Sequence, residues 1–136
     1  MKVASTEQMK KGLGPKFENF LAEELTLAGY SVEQRSRRFV GAMEVDIALS
    51  NVSIAIEVDG PTHWEDIYGS NKLQQVKAKD KIKDDLLISS GWDVLRVQDK
   101  SGSCTRARVK RVIAQIEEIK KERARQNIAK VYIIRT

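Results

Sequence analysis

Residues 53–64 read Ser-Ile-Ala-Ile-Glu-Val-Asp-Gly-Pro-Thr-His-Trp, a strand pattern that ends in a group of polar side chains. Alternation along a strand puts Glu57 and Asp59 on the same face, about 7 Å apart. The chain's one histidine, His63, follows after a turn at Gly60-Pro61. Two neighbouring carboxylates on one strand face indicate a cationic partner between them.

The residues before this stretch predict a hairpin. Residues 43–50 also alternate, and Ser50-Asn51 suits a two-residue turn. The register that follows from this turn pairs Leu49 with Val52, Ile47 with Ile54, and Val45 with Ile56. It collects the branched apolar side chains on one face and places Asp46 beside Glu57 and Asp59 on the other. Three converging carboxylates suit Mg²⁺ or Mn²⁺, which prefer oxygen ligands.

The rest of the chain predicts an α/β domain with a mixed β-sheet flanked by helices. We expect the elements in this order: a helix from Gly14-Pro15 to Gly29, strands over 30–40 and 43–59, a loop over 64–71, a helix over 72–90, a strand over 92–98, a helix over 106–125 and an edge strand over 131–134. The three consecutive strands make the first part of the sheet antiparallel.

Two acids on the predicted helices extend the acidic group. Glu18 lies at the edge of the apolar stripe of the first helix. Asp80 shares a face with Val76 and Leu87, so it points toward the apolar side and requires a partner, for which His63 is the candidate. Each residue alone has an ordinary structural explanation, but their combination favours a metal site.

Composition limits the class of protein. A chain of 136 residues suits one domain, and its single cysteine excludes an internal disulfide. No apolar run approaches about 18 residues, and the first twelve residues have no signal-peptide core. We therefore expect a soluble, cytoplasmic protein without a membrane partner.

The positive charge is concentrated toward the C-terminus. Of the net charge of +5, residues 104–136 hold ten basic and three acidic side chains. Smaller basic groups comprise Arg35, Arg37 and Arg38, and Lys72, Lys77, Lys79, Lys81 and Lys83. This distribution favours a polyanion, nucleic acid before an anionic membrane surface. For the last helix alone, an ordinary solvated face explains the pattern equally well.

Asp46 and Glu57-Val58-Asp59 resemble the motif of the PD-(D/E)XK nuclease superfamily, except that Asp59 replaces its lysine. With this replacement, the motif resembles that of the branch that contains the very-short-patch repair endonucleases and the phage homing endonucleases, which is described by an EDxHD signature. The resemblance implies one nuclease-like domain over 1–136, with a loose arm (1–13), a restriction-endonuclease-like catalytic core (14–98), and a basic helix with an edge strand (104–136). The catalytic residues that it implies are Glu18, Asp46, Glu57, Asp59, His63 and Asp80.

The expected reaction is Mg²⁺- or Mn²⁺-dependent hydrolysis of double-stranded DNA. Asp46, the carbonyl of Val58, and Glu57 or Asp59 would hold the metal, while His63, held by Asp80, would activate water. The residues expected to contact backbone phosphates are Arg35, Arg37, Arg38, Lys72, Lys77, Lys79 and Lys83. The target site, the number of strands cut and the formation of a homodimer stay open.

A second resemblance implies a different function. Residues 56–64 also resemble RAP domains, which occur in proteins that process organellar RNA. This resemblance implies an RNA-binding or RNA-processing module that does not cleave DNA. A third interpretation is a protein-interaction domain whose acids are purely structural.

Overall fold

In the computed structural model, which describes residues 16–39 and 43–136, a five-stranded mixed sheet is flanked by three helices. The predicted α/β class is therefore confirmed. The predicted arm (1–13), the Gly14-Pro15 helix start and the last residue of the predicted 30–40 strand lie outside the described residues. Within those described ranges, no helix combines the length and the apolar character that crossing a membrane requires.

The observed elements match the predicted order, with ends that differ by a few residues. They are α1 (Lys16–Leu27), β1 (Val32–Ser36), β2 (Val45–Leu49), β3 (Ile54–Asp59), α2 (Ser70–Ser89), β4 (Asp93–Gln98), α3 (Arg106–Gln126) and β5 (Val131–Arg135). A short 3₁₀ turn, Pro61–His63, follows β3 inside the region predicted as turn and loop. The predicted edge strand is confirmed as β5.

The strands lie in the order β1-β2-β3-β4-β5. The first three pair antiparallel, as predicted, whereas β4 joins β3 and β5 joins β4 in parallel. The parallel pairing aligns the ends of β3 and β4, so that Glu57 is opposite Arg96 and Asp59 is opposite Gln98. The polar end of β3 therefore lies beside a neighbouring strand rather than at an edge of the sheet.

Helices α1 and α3 cover one face of the sheet. The predicted stripes are buried there, and their fully buried members are Phe17, Leu21, Leu25, Val112, Ile116 and Ile119. Burying one such large side chain contributes about 1.5–3 kcal/mol, so this layer supplies most of the hydrophobic stabilisation.

Helix α2 covers the opposite face in a different way. Among its twenty residues, all of which are described, only Leu87 is fully buried. Leu87 packs beside Ala48, Ala55 and Val94 of the sheet. The helix is consequently attached largely through polar side chains.

The predicted register of the β2–β3 hairpin is wrong by two residues. Leu49 pairs with Ile54 and Ile47 with Ile56, so four residues (50–53) form the loop. The longer loop is stabilised because the Asn51 side chain accepts a hydrogen bond from the Ser31 N–H at 3.1 Å. A shift of two residues keeps each side chain on its face, which is why the predicted faces of Ile47 and Ile54 are correct despite the wrong pairs.

Candidate functional site

The backbone pairing of strands β2 and β3 ends at the Ile47–Ile56 pair. Beyond this pair, two carboxylates accept the hydrogen bonds of backbone N–H groups. The Asp46 N–H donates to Glu57 Oε2 at 3.0 Å, and the Val58 N–H donates to Asp46 Oδ2 at 2.9 Å. Asp46 and Glu57 therefore lie together, as predicted. The end of the pairing also overturns the predicted face of Val45, which packs with the α2 layer instead of with Ile47.

Glu57 is buried and Asp46 is partly buried, which makes their negative charge unfavourable. Burial and the neighbouring Asp46 raise the pKa of Glu57 to about 7. Burial also raises the pKa of Asp46, although the Val58 N–H opposes that increase. Two acids with raised pKa values therefore lie at one point of the sheet, which makes this point a candidate functional site.

Lys83 of α2 supplies part of that charge. Its Nζ lies 2.6 Å from Glu57 Oε1, and its side chain is only 22% exposed. The ammonium group lowers the pKa of both Glu57 and Asp46. Lys83, predicted to hold a backbone phosphate, thus contacts a candidate metal ligand directly. The basic run on α2 was visible in the sequence, but which of its lysines turns inward was not.

Glu18 approaches the same pair from α1. It is 5% exposed and accepts a hydrogen bond from Gln34 Nε2 at 3.1 Å. Burial and then the charge of Asp46 raise the pKa of Glu18. Glu18, Asp46 and Glu57 therefore form one electrostatically connected acidic group, as the sequence predicted.

His63 belongs to a second, adjoining group of residues. Its Nδ1 lies 2.8 Å from Asp80 Oδ2 and 3.7 Å from Asp59 Oδ1. The predicted His63–Asp80 pair is confirmed. An Nδ1–H that donates to Asp80 leaves Nε2 as the acceptor of the ring. The histidine side chain is 33% exposed, so that acceptor is accessible.

Arg96, which was not predicted as a site residue, contacts several acids of this second group. Its buried guanidinium donates to Asp59 at 2.9 Å and to Asp84 at 2.6 Å, and lies 3.6 Å from Asp80. Asp59 therefore faces Arg96 and His63. The arginine between apolar residues in the strand Trp-Asp-Val-Leu-Arg-Val-Gln is the signal that could have revealed it, because a buried cation requires acidic partners.

The second group can also be considered as a metal site. Asp59, His63 and Asp80 each offer one ligand atom, and these atoms lie within 4.8 Å of one another. However, Arg96 already places positive charge on both carboxylates. Lys83 places positive charge on Glu57 in the same way, and burial raises the pKa of Asp59 as it raises those of Asp46 and Glu57. Both groups are therefore candidate cation sites.

An open cleft of about 430 Å³ gives access to His63. Its lining includes Trp64, Lys77, and the exposed apolar side chains Val131 and Ile133 of β5. The histidine therefore lies where a large ligand can reach it.

The predicted phosphate contacts differ in their surroundings. Lys72, Lys77 and Lys79 are exposed on α2. Arg37 lies 3.1 Å from Glu44, and Arg38 lies 3.1 Å from Glu33. The basic C-terminal segment is also partly neutralised, since its ion pairs include Arg108–Asp99, Lys120–Glu117, Lys121–Glu118, Arg123–Asp93 and Arg125–Glu122. The exposed lysines of α2 are thus the better candidates for an external anion.

We expect Glu57→Gln to change how stability depends on pH. The pKa of Glu57 is 4.5 in the unfolded chain and about 7 in the fold. Between these values only the folded protein keeps the proton, so the wild type loses stability as pH rises through this window, on the order of 3 kcal/mol in total. The amide introduced by the substitution carries no charge, so the variant lacks this loss. Chemical denaturation of both proteins at pH 5 and pH 8, without divalent metal, measures this change in the free energy of unfolding. An equal pH dependence in the two proteins would contradict the prediction.

Neither a comparison with models of known protein families nor a comparison with curated proteins gives a match. The chemistry of the site therefore has to be inferred from its own geometry.

Proposed function

We propose that this protein is a divalent-metal-dependent DNA endonuclease that resembles the PD-(D/E)XK superfamily. The observation that carries the proposal is the arrangement around β3. Glu57 near the end of this strand contacts Asp46 of β2, and a carboxylate-oriented histidine follows after the strand. A metal ligand set and a proton acceptor near the end of one strand are the two components that phosphodiester hydrolysis requires.

The acidic group fits Mg²⁺ or Mn²⁺. Its donors are carboxylate oxygens, which these ions prefer, and burial and the charge of Asp46 raise the pKa of Glu57 to about 7. Asp46 and Glu57 would hold the ion, with the carbonyl of Val58 as a further donor. Glu57 is preferred to Asp59 because it contacts Asp46 directly, whereas Asp59 faces Arg96 and His63.

A divalent ion bound here would polarise the phosphate and stabilise the leaving oxygen. His63 Nε2 accepts the proton of the attacking water. Asp80 fixes the tautomer through Nδ1 and stabilises the imidazolium that forms. Asp59 and Arg96 act through this pair as positioning residues, since Arg96 contacts both Asp59 and Asp80.

The exposed lysines of α2, Lys72, Lys77 and Lys79, would hold backbone phosphates, and Lys77 also lines the cleft beside His63. Such contacts provide affinity without sequence recognition.

Nicking of a supercoiled plasmid tests the proposal. Purified protein converts the plasmid to open-circular or linear form in Mg²⁺ or Mn²⁺, and excess EDTA stops the reaction. If neither Mg²⁺ nor Mn²⁺ supports cleavage at protein concentrations that bind the plasmid fully, the endonuclease assignment is refuted.

A second candidate function is an RNA-binding or RNA-processing module that does not cleave DNA. The 2.6 Å ion pair between Lys83 and Glu57 favours it, because an ammonium group can neutralise the acid without any metal. Binding of single-stranded RNA in EDTA, tighter than binding of duplex DNA and without plasmid nicking, would support this alternative.

A further inference from the structure

Arg35 has an unusual backbone conformation for a residue inside a strand. Its φ is 53°, in the left-handed region that side chains rarely adopt. Of the described residues other than glycine, Ser53 and Asn127 share this property, but they lie in the β2–β3 loop and at the end of α3, where it is common. Arg35 is the one that lies within a strand.

The conformation brings Arg35 toward the acidic group. Gln34 pairs with Ile47 and Ser36 with Val45, so Arg35 is at the level of Asp46. Strand alternation would send its side chain to the face opposite that of Gln34. Yet Gln34 and Arg35 both reach Glu18, the arginine with its Nε 3.8 Å from Oε2. The left-handed residue breaks the alternation and directs a cation to the site.

The electrostatic effect of Arg35 extends over two acids of the site. Its charge lowers the pKa of both Glu18 and Asp46, while Lys83 acts on Asp46 and Glu57 from the other side. The Arg35 side chain is 51% exposed, and among the described residues Glu18 is its one ion-pair partner, at the long distance of 3.8 Å. Most of its donors therefore remain accessible at the edge of the acidic group.

The charges around the acidic group indicate which ligand the guanidinium donors of Arg35 suit. When all three carboxylates are ionised, Arg35 and Lys83 leave the group with one net negative charge, which a divalent ion would reverse to one positive charge. A phosphodiester then neutralises the site. A guanidinium is suited to this contact because it can donate two parallel hydrogen bonds to the oxygens of a phosphate.

We propose that Arg35 is a catalytic residue that binds the phosphate to be cleaved, and that its left-handed backbone is strain retained for this contact. The inference rests on the proposed function. Arg37 and Arg38 differ from Arg35 because they form 3.1 Å ion pairs with Glu44 and Glu33.

The test compares Arg35→Gly with Arg35→Ala. Both remove the guanidinium, but only glycine relieves the backbone, so Arg35→Gly melts about 3 °C or more above Arg35→Ala. At an unstrained strand position, the alanine variant would instead melt at a higher temperature than the glycine variant. Both variants lose about 10²-fold or more in single-turnover cleavage, the size expected for one lost transition-state donor. Their affinity for Mn²⁺ alone does not fall.

Ser53→Gly is the matched control, since it relieves a left-handed residue far from the acidic group. We expect higher thermal stability and unchanged cleavage. Cleavage by Arg35→Ala at the wild-type rate, or a higher melting temperature for alanine than for glycine, would overturn the inference while leaving the nuclease assignment intact. A wild-type protein that cleaves no DNA would overturn both.

Discussion

Asp46→Asn abolishes metal-dependent cleavage, with an expected loss of at least about 10³-fold, and at the same time stabilises the protein. The neutral amide is a poor ligand for a hard cation, but its oxygen can still accept the hydrogen bond from the Val58 N–H. Because the change preserves this local contact, lost activity reports on the ligand rather than on the fold.

The gain in stability follows from the sign of the pKa shift. Burial raises the pKa of Asp46 above its ordinary value, so the ionised side chain destabilises the fold as pH rises through that pKa. Asparagine does not ionise, and the variant should therefore melt at a higher temperature than the wild type at pH 8 without metal.

Single-turnover nicking and thermal melting on the same preparations measure both effects. Asp66→Asn provides the control, because Asp66 is an exposed acid in the loop after His63 and should affect neither measurement. Retention of more than a tenth of wild-type activity by Asp46→Asn would contradict its assignment as a metal ligand.

His63→Ala slows cleavage by roughly 10² to 10⁴-fold, the loss expected for a general base, while metal and DNA affinity change little. Asp80→Asn acts through the same step, because its carboxylate holds Nδ1 at 2.8 Å. Residues that act as one unit give non-additive losses. The double variant should therefore be scarcely slower than His63→Ala.

Single-turnover rates of the four proteins, measured across pH 5.5 to 9, test this coupling. Fully multiplicative losses would show that Asp80 acts separately from the histidine. Asp85→Asn is the matched control on α2, because Asp85 is exposed and pairs with Lys81 rather than with His63. A marked loss of DNA affinity in His63→Ala would instead indicate a binding role and favour the RNA-binding alternative.

The features predicted correctly from the sequence are those with a local period. The helix stripes and the opposite faces of Ile47 and Ala48 follow from repeats of 3.6 and 2 residues, which neighbours in the chain reveal. The wrong hairpin register has a different origin. A two-residue shift leaves the period unchanged, so only the loop conformation distinguishes the two pairings.

The ionic contacts of the site were harder to predict. Lys83 meets Glu57 across 26 residues, and Arg96 meets Asp59 across 37. No periodic pattern specifies which charge among several on a helix turns toward the sheet. Asp59 was consequently placed with the metal ligands, whereas the structure pairs it with an arginine.

The ion pairs that attach α2 to the sheet involve residues of the proposed site. This helix buries only one leucine fully but contributes Asp80, Lys83 and Asp84 to ion pairs with the sheet side. Regions with few buried apolar contacts open at a lower free energy than the core. Any ligand that changes the charge of the acidic group therefore also changes how firmly this helix is held. The side chains that attach this helix are therefore the ones that contact Glu57 and His63, the proposed metal ligand and the proposed general base.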